Sequence, residues 1–373
     1  MAGVPKLSRR ARWAIPAGAL VITGAVLAGS LISVAQASPG LPSRTPAQLL
    51  AQVADSVTPP LTGTVVETTS LGLPSLPGTS NPTSIASLLT GSHTVRVWYS
   101  SKRHFRLAVP QPLSETDVIA DGNTAWQWDS TANAVTEYTL PAGANAAQTA
   151  PTAAPLTPQQ AAQQVLAKVG PTTTVSVDSN VTVAGQAAYE LVLAPKDTRS
   201  LVGQVQIAID GKNGVPLRLQ VYARGASSPA FTVGNTSIQF VTPAPADLTF
   251  TPPPGAKVSH ENLTAPSGSD HTQGDVTTIG SGWLTVLDLP GTGLTAPSSS
   301  GSGNSPSGNS PSGDSAAVLN ALLASATPVS GAWGSGRLLR TSLVSVLITD
   351  QGHAFVGAVQ PSVLYAAAAA QPH

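Results

Sequence analysis

The sequence predicts a mainly β protein of the α+β class. We expect a curled antiparallel sheet that forms an unclosed β-barrel with a helical lid, followed by a small C-terminal α+β appendage. Three observations lead to this expectation. Apolar and polar residues alternate over many segments between residues 62 and 250, only two segments before residue 260 begin like helices, and turn signals separate the alternating segments. Alternation with a period of two is typical of antiparallel strands with one buried and one wet face.

The number of alternating segments determines the predicted shape of the sheet. We count roughly ten or eleven strands, which is more than the ~5–6 of an ordinary sheet. Two helices cannot cover so wide a sheet on both sides. A strongly curled, partly open barrel whose mouth is stopped by the helices is therefore the favoured arrangement.

Two helices are predicted from matching start signals. Thr45 can cap the first helix, Pro46 suits its first position, and Gln48 completes a capping box. The same arrangement of residue types recurs from Thr157 to Gln160, where the second helix is expected to begin.

The strands are predicted from four segments in which the alternation is clearest. Val95–Tyr99 and Phe105–Val109 precede the second helix, and Val205–Ile209 and Leu217–Val221 follow it. Two low-complexity segments, residues 71–92 and 142–155, lie between predicted elements. Because both are longer than ordinary connections, we expect them to be functional loops.

Beyond residue 257 the chain changes character and predicts an appendage. A Gly/Ser/Asn/Pro linker at residues 298–314 cannot bury a core and should stay flexible. The first appendage strand is expected to pair with a hairpin. The predicted elements are helices at residues 316–323 and 361–370 and strands at residues 282–289, 338–348 and 353–359.

The N-terminus has the order of an export signal. Lys6, Arg9, Arg10 and Arg12 precede an uncharged run from Trp13 to Val34, and an Ala-Gln-Ala cleavage pattern follows. The run is also long enough to span a bilayer, so an uncleaved membrane anchor remains open. In either case the protein is expected outside the cytoplasm, secreted or anchored to the cell membrane.

These features predict a division of the chain into four parts. They are a signal peptide or membrane anchor (residues 1–37), a half-barrel domain (44–258), a strand with a Gly/Ser/Pro-rich linker (259–315) and a small C-terminal α/β-hairpin region (316–373).

The composition excludes several classes of function. The 373 residues include 18 basic and 18 acidic side chains, so the clustered positive charge that nucleic acid requires is missing. The chain has no cysteine, which excludes thiolate catalysis, disulfides and Cys-zinc sites.

No motif for catalysis, metal binding or a cofactor is apparent, so we predict a non-enzymatic protein without a cofactor. The six histidines form no metal-ligand pattern. Glu115 with Asp117, or Asp121 with Asp129, could be considered as a glycosidase pair. Carboxylates at strand ends and turns are usually solvated, and a hydrolase is therefore the least favoured reading.

Apolar and aromatic side chains that alternate along the strands are the candidate binding residues. They form either the packed core between sheet and helices or the wall of an apolar cavity for an acyl chain, and the pattern leaves both open. The candidates are Val97, Phe105, Leu107, Val109, Trp126, Trp128, Val205, Ile207, Leu217 and Leu219.

Several short motifs resemble the periplasmic lipoprotein carriers of the LolA type. Residues 121–129 (DGNTAWQWD) resemble that family's "DG…W.YD" hairpin, and residues 250–256 (FTPPPGA) resemble its "F.PP.GA" exit. The strands at 203–210 and 216–222 resemble its closing strands, and the two capped helices fall where the family has its lid. The resemblance covers roughly residues 44–258, and the composition is similar to that of actinobacterial members.

The resemblance implies an unclosed β-barrel that accepts lipid or lipoprotein acyl chains under a helical lid. Related anti-sigma regulators of the RseB type share the fold, so an envelope sensor that binds an anti-sigma factor is the alternative function. Expected partners are therefore acyl chains, the membrane through an uncleaved N-terminal segment, and a membrane protein such as a transporter or an anti-sigma factor. In the carriers an arginine latches the lid, and Arg96 and Arg106 are candidates here.

Overall fold

The computed structural model describes residues 40–73, 90–140, 157–166, 170–262, 276–290 and 321–371. Contacts divide the chain into Met1–Ala37 and Ser38–His373, and all described residues belong to the second unit. The predicted export signal, the linker at 298–314 and most of the two predicted loops lie outside the described residues.

The larger sheet contains thirteen strands within the described ranges, all antiparallel except for one pair. Their order across the sheet is β13-β6-β5-β4-β3-β2-β1-β12-β11-β10-β9-β7, and β8 also pairs with β9. The strands are β1 Leu61–Ser70, β2 Thr90–Ser101, β3 His104–Gln111, β4 Ser114–Asp121, β5 Thr124–Asp129, β6 Ala134–Thr139, β7 Thr173–Val177, β8 Val181–Val183, β9 Gln186–Pro195, β10 Val202–Asp210, β11 Pro216–Ala223, β12 Pro229–Gln239 and β13 Lys257–Asn262.

The sheet curls but does not close, because β13 and β7 end its order and do not pair with each other in the described part of the chain. This confirms the predicted fold class. Tight contact between β1 and β12 supports the curl at one point: a Cβ added to Gly63 would lie 2.6 Å from the Ser237 carbonyl oxygen. A register shift between Thr64 and Val65 follows directly, as expected of a β-bulge that bends the strand.

A smaller antiparallel sheet of six described strands lies in the C-terminal part of the chain, in the order β14-β15-β19-β18-β17-β16. The strands are β14 Thr277–Ile279, β15 Val286–Leu289, β16 Thr327–Gly331, β17 Gly334–Arg340, β18 Ser345–Thr349 and β19 Ala354–Gly357.

Four helices with defined bounds are α1 Pro46–Asp55, α2 Pro158–Leu166, α3 Pro245–Leu248 and α4 Pro361–Ala369. The first two confirm the predicted capping boxes: Thr45 exchanges hydrogen bonds with Gln48, and Thr157 with Gln160. The one-turn helix α3 was not predicted. None of the helices in the described ranges is both long and apolar enough to cross a membrane.

Two appendage predictions need correction. The segment 338–348 was predicted as one strand, but the chain reverses within it, because the Thr341 hydroxyl accepts hydrogen bonds from the backbone of Leu343 and Val344 and forms a turn. The segment 282–289 begins with a 3₁₀ turn, Gly282–Leu284, and only its second half is a strand. The predicted pairing of that strand with the hairpin is confirmed, since β15 pairs with β19.

The two sheets contact each other directly. The Trp283 indole donates a 2.8 Å hydrogen bond to the Thr173 hydroxyl of β7. The backbone of Leu201 donates to the Ala358 carbonyl at 2.9 Å, and Ser200 forms a β-bridge with Val359. Leu343 also belongs to the apolar core of the larger sheet. The appendage is therefore packed onto the half-barrel.

Candidate functional site

A cavity of about 230 Å³ opens between α2 and the face of the larger sheet that carries Val97 and Leu107, which we call the inner face. Apolar side chains form most of its wall and polar side chains line its mouth. The lining residues are Thr58, Leu61, Val65, Val97, Tyr99, Lys102, Phe105, Leu107, Thr157, Pro158, Gln159, Gln160, Gln163, Val215, Pro216, Asn235 and Ile238.

Strand register explains why the apolar wall forms. Leu107 lies opposite Val97, and Val97 lies opposite Gly63, so side chains from three neighbouring strands share one face. Because side chains alternate along a strand, Phe105 is on that face too. Leu61 and Val65 lie on either side of Gly63 on β1 and also line the cavity.

Helix α2 covers the cavity and packs against β11 and β12. Ala161 and Ala162 of this helix are buried, and their small side chains let the helix approach the sheet closely. The Thr58 hydroxyl, in the segment between α1 and β1, donates a hydrogen bond to Gln159 Oε1. This contact joins the two helical segments across the mouth of the cavity.

The charge of the described lining is confined to one cation. Partial burial of Tyr99 raises the pKa of its phenol. Among the lining residues in the described chain, Lys102 is the one charged side chain and none is acidic.

Three of the ten predicted binding residues, Val97, Phe105 and Leu107, line the cavity. Five others are packed inside the core: Val109 is 8% exposed, and Val205, Ile207, Leu217 and Leu219 are at most 1% exposed. Val97 and Phe105 are also buried core residues, so the core and cavity-wall interpretations overlap at these positions. Contact of any of them with a ligand stays a prediction.

Trp126 and Trp128 lie on the opposite face of the sheet, which we call the outer face. Gln127 is paired with Val118, and Val118 with Leu107, so Gln127 shares the inner face and its two tryptophan neighbours do not. Both tryptophans pack against Phe250, with ring centroids 6.0 and 6.5 Å apart. The structure therefore separates them from the other predicted residues.

A buried carboxylate lies beside these tryptophans on the outer face. Asp117 is fully buried and pairs with Arg106, whose side chain also lies 3.7 Å from Glu115. Desolvation raises the Asp117 pKa to about 6, opposed by the Arg106 charge and reinforced by the Glu115 charge. Asp117 Oδ1, Arg106 Nε and Trp128 Nε1 have no hydrogen-bond partner among the described residues.

The two arginines considered as a lid latch also lie on the outer face. Arg106 alternates with Phe105 and Leu107, and its guanidinium stacks 5.5 Å from the Trp98 ring. Arg96 alternates with Val97 in the same way. Neither arginine lines the cavity, and a latching role for either stays a prediction.

The carboxylates considered for hydrolysis have structural partners. Asp129 accepts hydrogen bonds from the backbone of Thr131 and Ala132 in a turn, and Asp121 lies 3.4 Å from His104. No three His, Asp or Glu side chains approach one another closely enough to hold a metal ion within the described ranges.

Several lining residues were missed by the sequence analysis. Tyr99 continues the alternation of Val97, so the same signal could have identified it. Leu61 and Val65 alternate on β1, whose pattern is weakened by Thr and Gly. Lys102 lies in a turn, and no local pattern indicates that it borders a cavity.

The comparisons with known proteins concern the fold alone. No family model matches the chain, and no curated protein matches it. Similar solved structures include the MucA/MucB complex of Pseudomonas aeruginosa (14% identity, 87% of this chain and 96% of that chain, TM-score 0.42). Another is a conserved protein of Thermus thermophilus (13% identity, 58% of this chain and 98% of that chain, TM-score 0.32). A third is a LolA superfamily protein of Nitrosomonas europaea (9% identity, 56% of this chain and 99% of that chain, TM-score 0.19).

The observed curled and unclosed sheet agrees with the fold class that the sequence predicts. The actinobacterial type stays a prediction. At such low identities and TM-scores, no inference about ligand or partner rests on these likenesses.

Proposed function

We propose that the protein binds lipid or lipoprotein acyl chains in the cavity of its inner face, outside the cytoplasm and without chemical turnover. The observation that carries the proposal is the cavity itself, walled by apolar side chains of β1, β2 and β3 and covered by α2. An acyl chain needs no catalytic group, because each buried CH₂ contributes about 0.8 kcal/mol.

The size of the cavity sets how an acyl chain would enter. Its volume of about 230 Å³ is below the ~300–1,000 Å³ of typical ligand sites. A long acyl chain therefore requires α2 to move away from the sheet. Few polar contacts oppose such a movement, since α2 is held by its small apolar face and by the Thr58–Gln159 hydrogen bond.

The test is native mass spectrometry with lipid extraction on the full chain purified from a bacterial envelope. We expect a bound acylated mass that organic solvent releases and that Leu107→Glu abolishes, because the substitution places a carboxylate in the apolar wall. Leu113→Glu is the matched control, since Leu113 is fully exposed in the β3–β4 turn. A chain that stays empty when offered phospholipid and diacylated peptide would contradict the proposal.

A second candidate function is an envelope sensor that binds a membrane anti-sigma factor. The observation that favours it is β16, an edge strand of the smaller sheet in the described part of the chain, with mostly exposed side chains. Edge strands can accept an added strand from a partner. Titration with the extracytoplasmic segment of an anti-sigma factor separates the functions: a sensor binds it and releases it when acyl ligand is added, whereas a carrier does not bind it.

The location is part of the proposal. Residues 1–37 would direct export and either be removed or remain as an anchor. Mass determination of the mature N-terminus in secreted and membrane fractions decides between the two, and an unprocessed chain in the cytosol would contradict both.

A further inference from the structure

Three consecutive basic residues connect β2 and β3: Lys102 and Arg103 form the turn, and His104 begins β3. Two of them contact residues away from the cavity. Arg103 donates to the side chain of Asn123, and His104 lies 3.4 Å from Asp121. Both partners belong to the turn region between β4 and β5. The neighbours of Lys102 are thus held against the sheet by this turn.

Lys102 differs from its neighbours because it borders the mouth of the cavity. Its side chain is exposed, and no described residue forms a hydrogen bond or ion pair with it. The nearest part of the wall consists of Tyr99 and Phe105, which flank the turn on either strand. An apolar wall that ends at a free ammonium group matches an amphiphile whose polar end is negatively charged.

The rest of the mouth does not offset this charge. Gln159, Gln163 and Asn235 are neutral, and no acid lines the cavity in the described chain. An anionic head group at the mouth would therefore be attracted by Lys102 and repelled by no lining side chain. A cationic head group would be repelled by Lys102 and attracted by no lining side chain.

We infer that the cavity selects anionic amphiphiles, with the acyl chain against the inner face and the anionic head group at Lys102. The inference rests on the proposed acyl-binding function and adds the charge of the ligand's head group.

The test compares three ligands with the same chain and different head groups: laurate, monolaurin and lauroylcholine. Affinities are measured by native mass spectrometry and calorimetry on the full chain, at low ionic strength and well above the carboxyl pKa. We expect laurate to bind about 5-fold more tightly than monolaurin, the effect of one exposed ion pair, and lauroylcholine to bind most weakly.

The variants assign that preference to Lys102. Lys102→Gln should make the affinities for laurate and monolaurin equal. Lys102→Glu should make lauroylcholine the ligand that binds most tightly. Lys257→Gln, an exposed lysine on β13, is the control and should leave all three affinities unchanged. Added salt should reduce the preference of the unaltered protein for laurate, because the pair is exposed.

The possible failures are distinguishable. If Lys102→Gln leaves the ratio of the affinities for laurate and monolaurin unchanged, the head-group inference is wrong. Binding of both ligands would in that case still support the acyl site. Binding of none of the three ligands would overturn the proposed function and the inference together. Unfolding curves show whether each variant is folded.

Discussion

Asp117 is the residue whose ionisation should influence the stability of this protein most clearly. Its carboxylate is fully buried on the outer face, with Arg106 on one oxygen and no described partner on the other. Burial raises its pKa to about 6, so the folded state holds the proton more tightly than the unfolded chain does. A group of this kind stabilises the fold at low pH and ceases to do so as the pH rises.

We therefore predict that the free energy of unfolding decreases between about pH 4 and pH 6, by up to about 3 kcal/mol. The Asp117 contribution is fully present below the ordinary carboxyl pKa and is lost as the pH rises through about 6. Asp117→Asn removes the titrating group and should flatten this slope. Urea unfolding across the pH range measures it, and equal slopes in the two proteins would contradict the prediction.

Another carboxylate titrates in a different range and does not hide this effect. Hydrogen bonds from Arg199 lower the Asp197 pKa to about 2. Its contribution is present above the ordinary carboxyl pKa and is lost as the pH falls through about 2. Asp197 therefore changes stability with pH in the direction opposite to Asp117. It does so in a pH range below the one in which Asp117 acts.

At the scale of elements, α2 is the part of the structure best placed to move. Its contact with the sheet uses Ala161 and Ala162 together with the partly buried Val165 and Leu166, and the Thr58 hydroxyl of the segment after α1 bonds to Gln159. A short helix beside a cavity opens more easily than the strands beneath it.

Thr58→Val should loosen α2 without unfolding the sheet. The substitution keeps the shape of the side chain and removes the donor, and a hydrogen bond of this kind contributes about 1 kcal/mol. We expect amide hydrogen exchange in α2 to be about 5-fold faster and exchange in β10 and β11 to be unchanged. Thr131→Val, at an exposed turn position, is the control. Equal protection of α2 in Thr58→Val and the unaltered protein would show that the bond does not hold the helix.

At the scale of the whole molecule, the smaller sheet supports the larger one. Trp283 and Leu343 pack against the core of the half-barrel. The Leu201 amide donates to the Ala358 carbonyl, and Ser200 forms a β-bridge with Val359, just after β19. Residues of the predicted half-barrel domain (44–258) thus pack directly against residues that follow it in the chain.

Ending the chain after Asn262 should lower the free energy of unfolding by several kcal/mol. Burial of one large apolar side chain contributes about 1.5–3 kcal/mol, and the deletion removes at least two from this contact. Trp283→Phe is the milder comparison, because it removes the hydrogen bond to Thr173 and keeps most of the packing. Denaturant unfolding measures both, and a shortened chain as stable as the full one would mean that the sheets are independent.

Local signals explain which parts of this molecule could be predicted from its sequence. Capping boxes at Thr45 and Thr157 and alternation in β2, β3, β10 and β11 involve residues a few positions apart, and these elements are confirmed. Helix α3 and the parallel pairing of β13 with β6 depend on residues more than a hundred positions away. No local pattern could indicate them.

The candidate site shows the same limit. Alternation shows that Trp126 and Trp128 share a face, but only the pairing of β3, β4 and β5 shows which one. A shift of one residue in register exchanges the two faces, so the wall of the cavity could be predicted as a set of alternatives only. Lys102 depends on the conformation of a turn and was therefore missed.

An incomplete barrel has a hazard that a closed one avoids, since each of its border strands can recruit another copy of the chain. Here β13 covers β6 and presents Lys257, His260 and Glu261 to solvent, while Trp283 is bonded to β7 at the far border. The C-terminal third of the chain thus supplies charged side chains at one border of the larger sheet and a side-chain contact at the other. Both features oppose the addition of a strand from another copy at the borders of that sheet, so its barrel can remain incomplete.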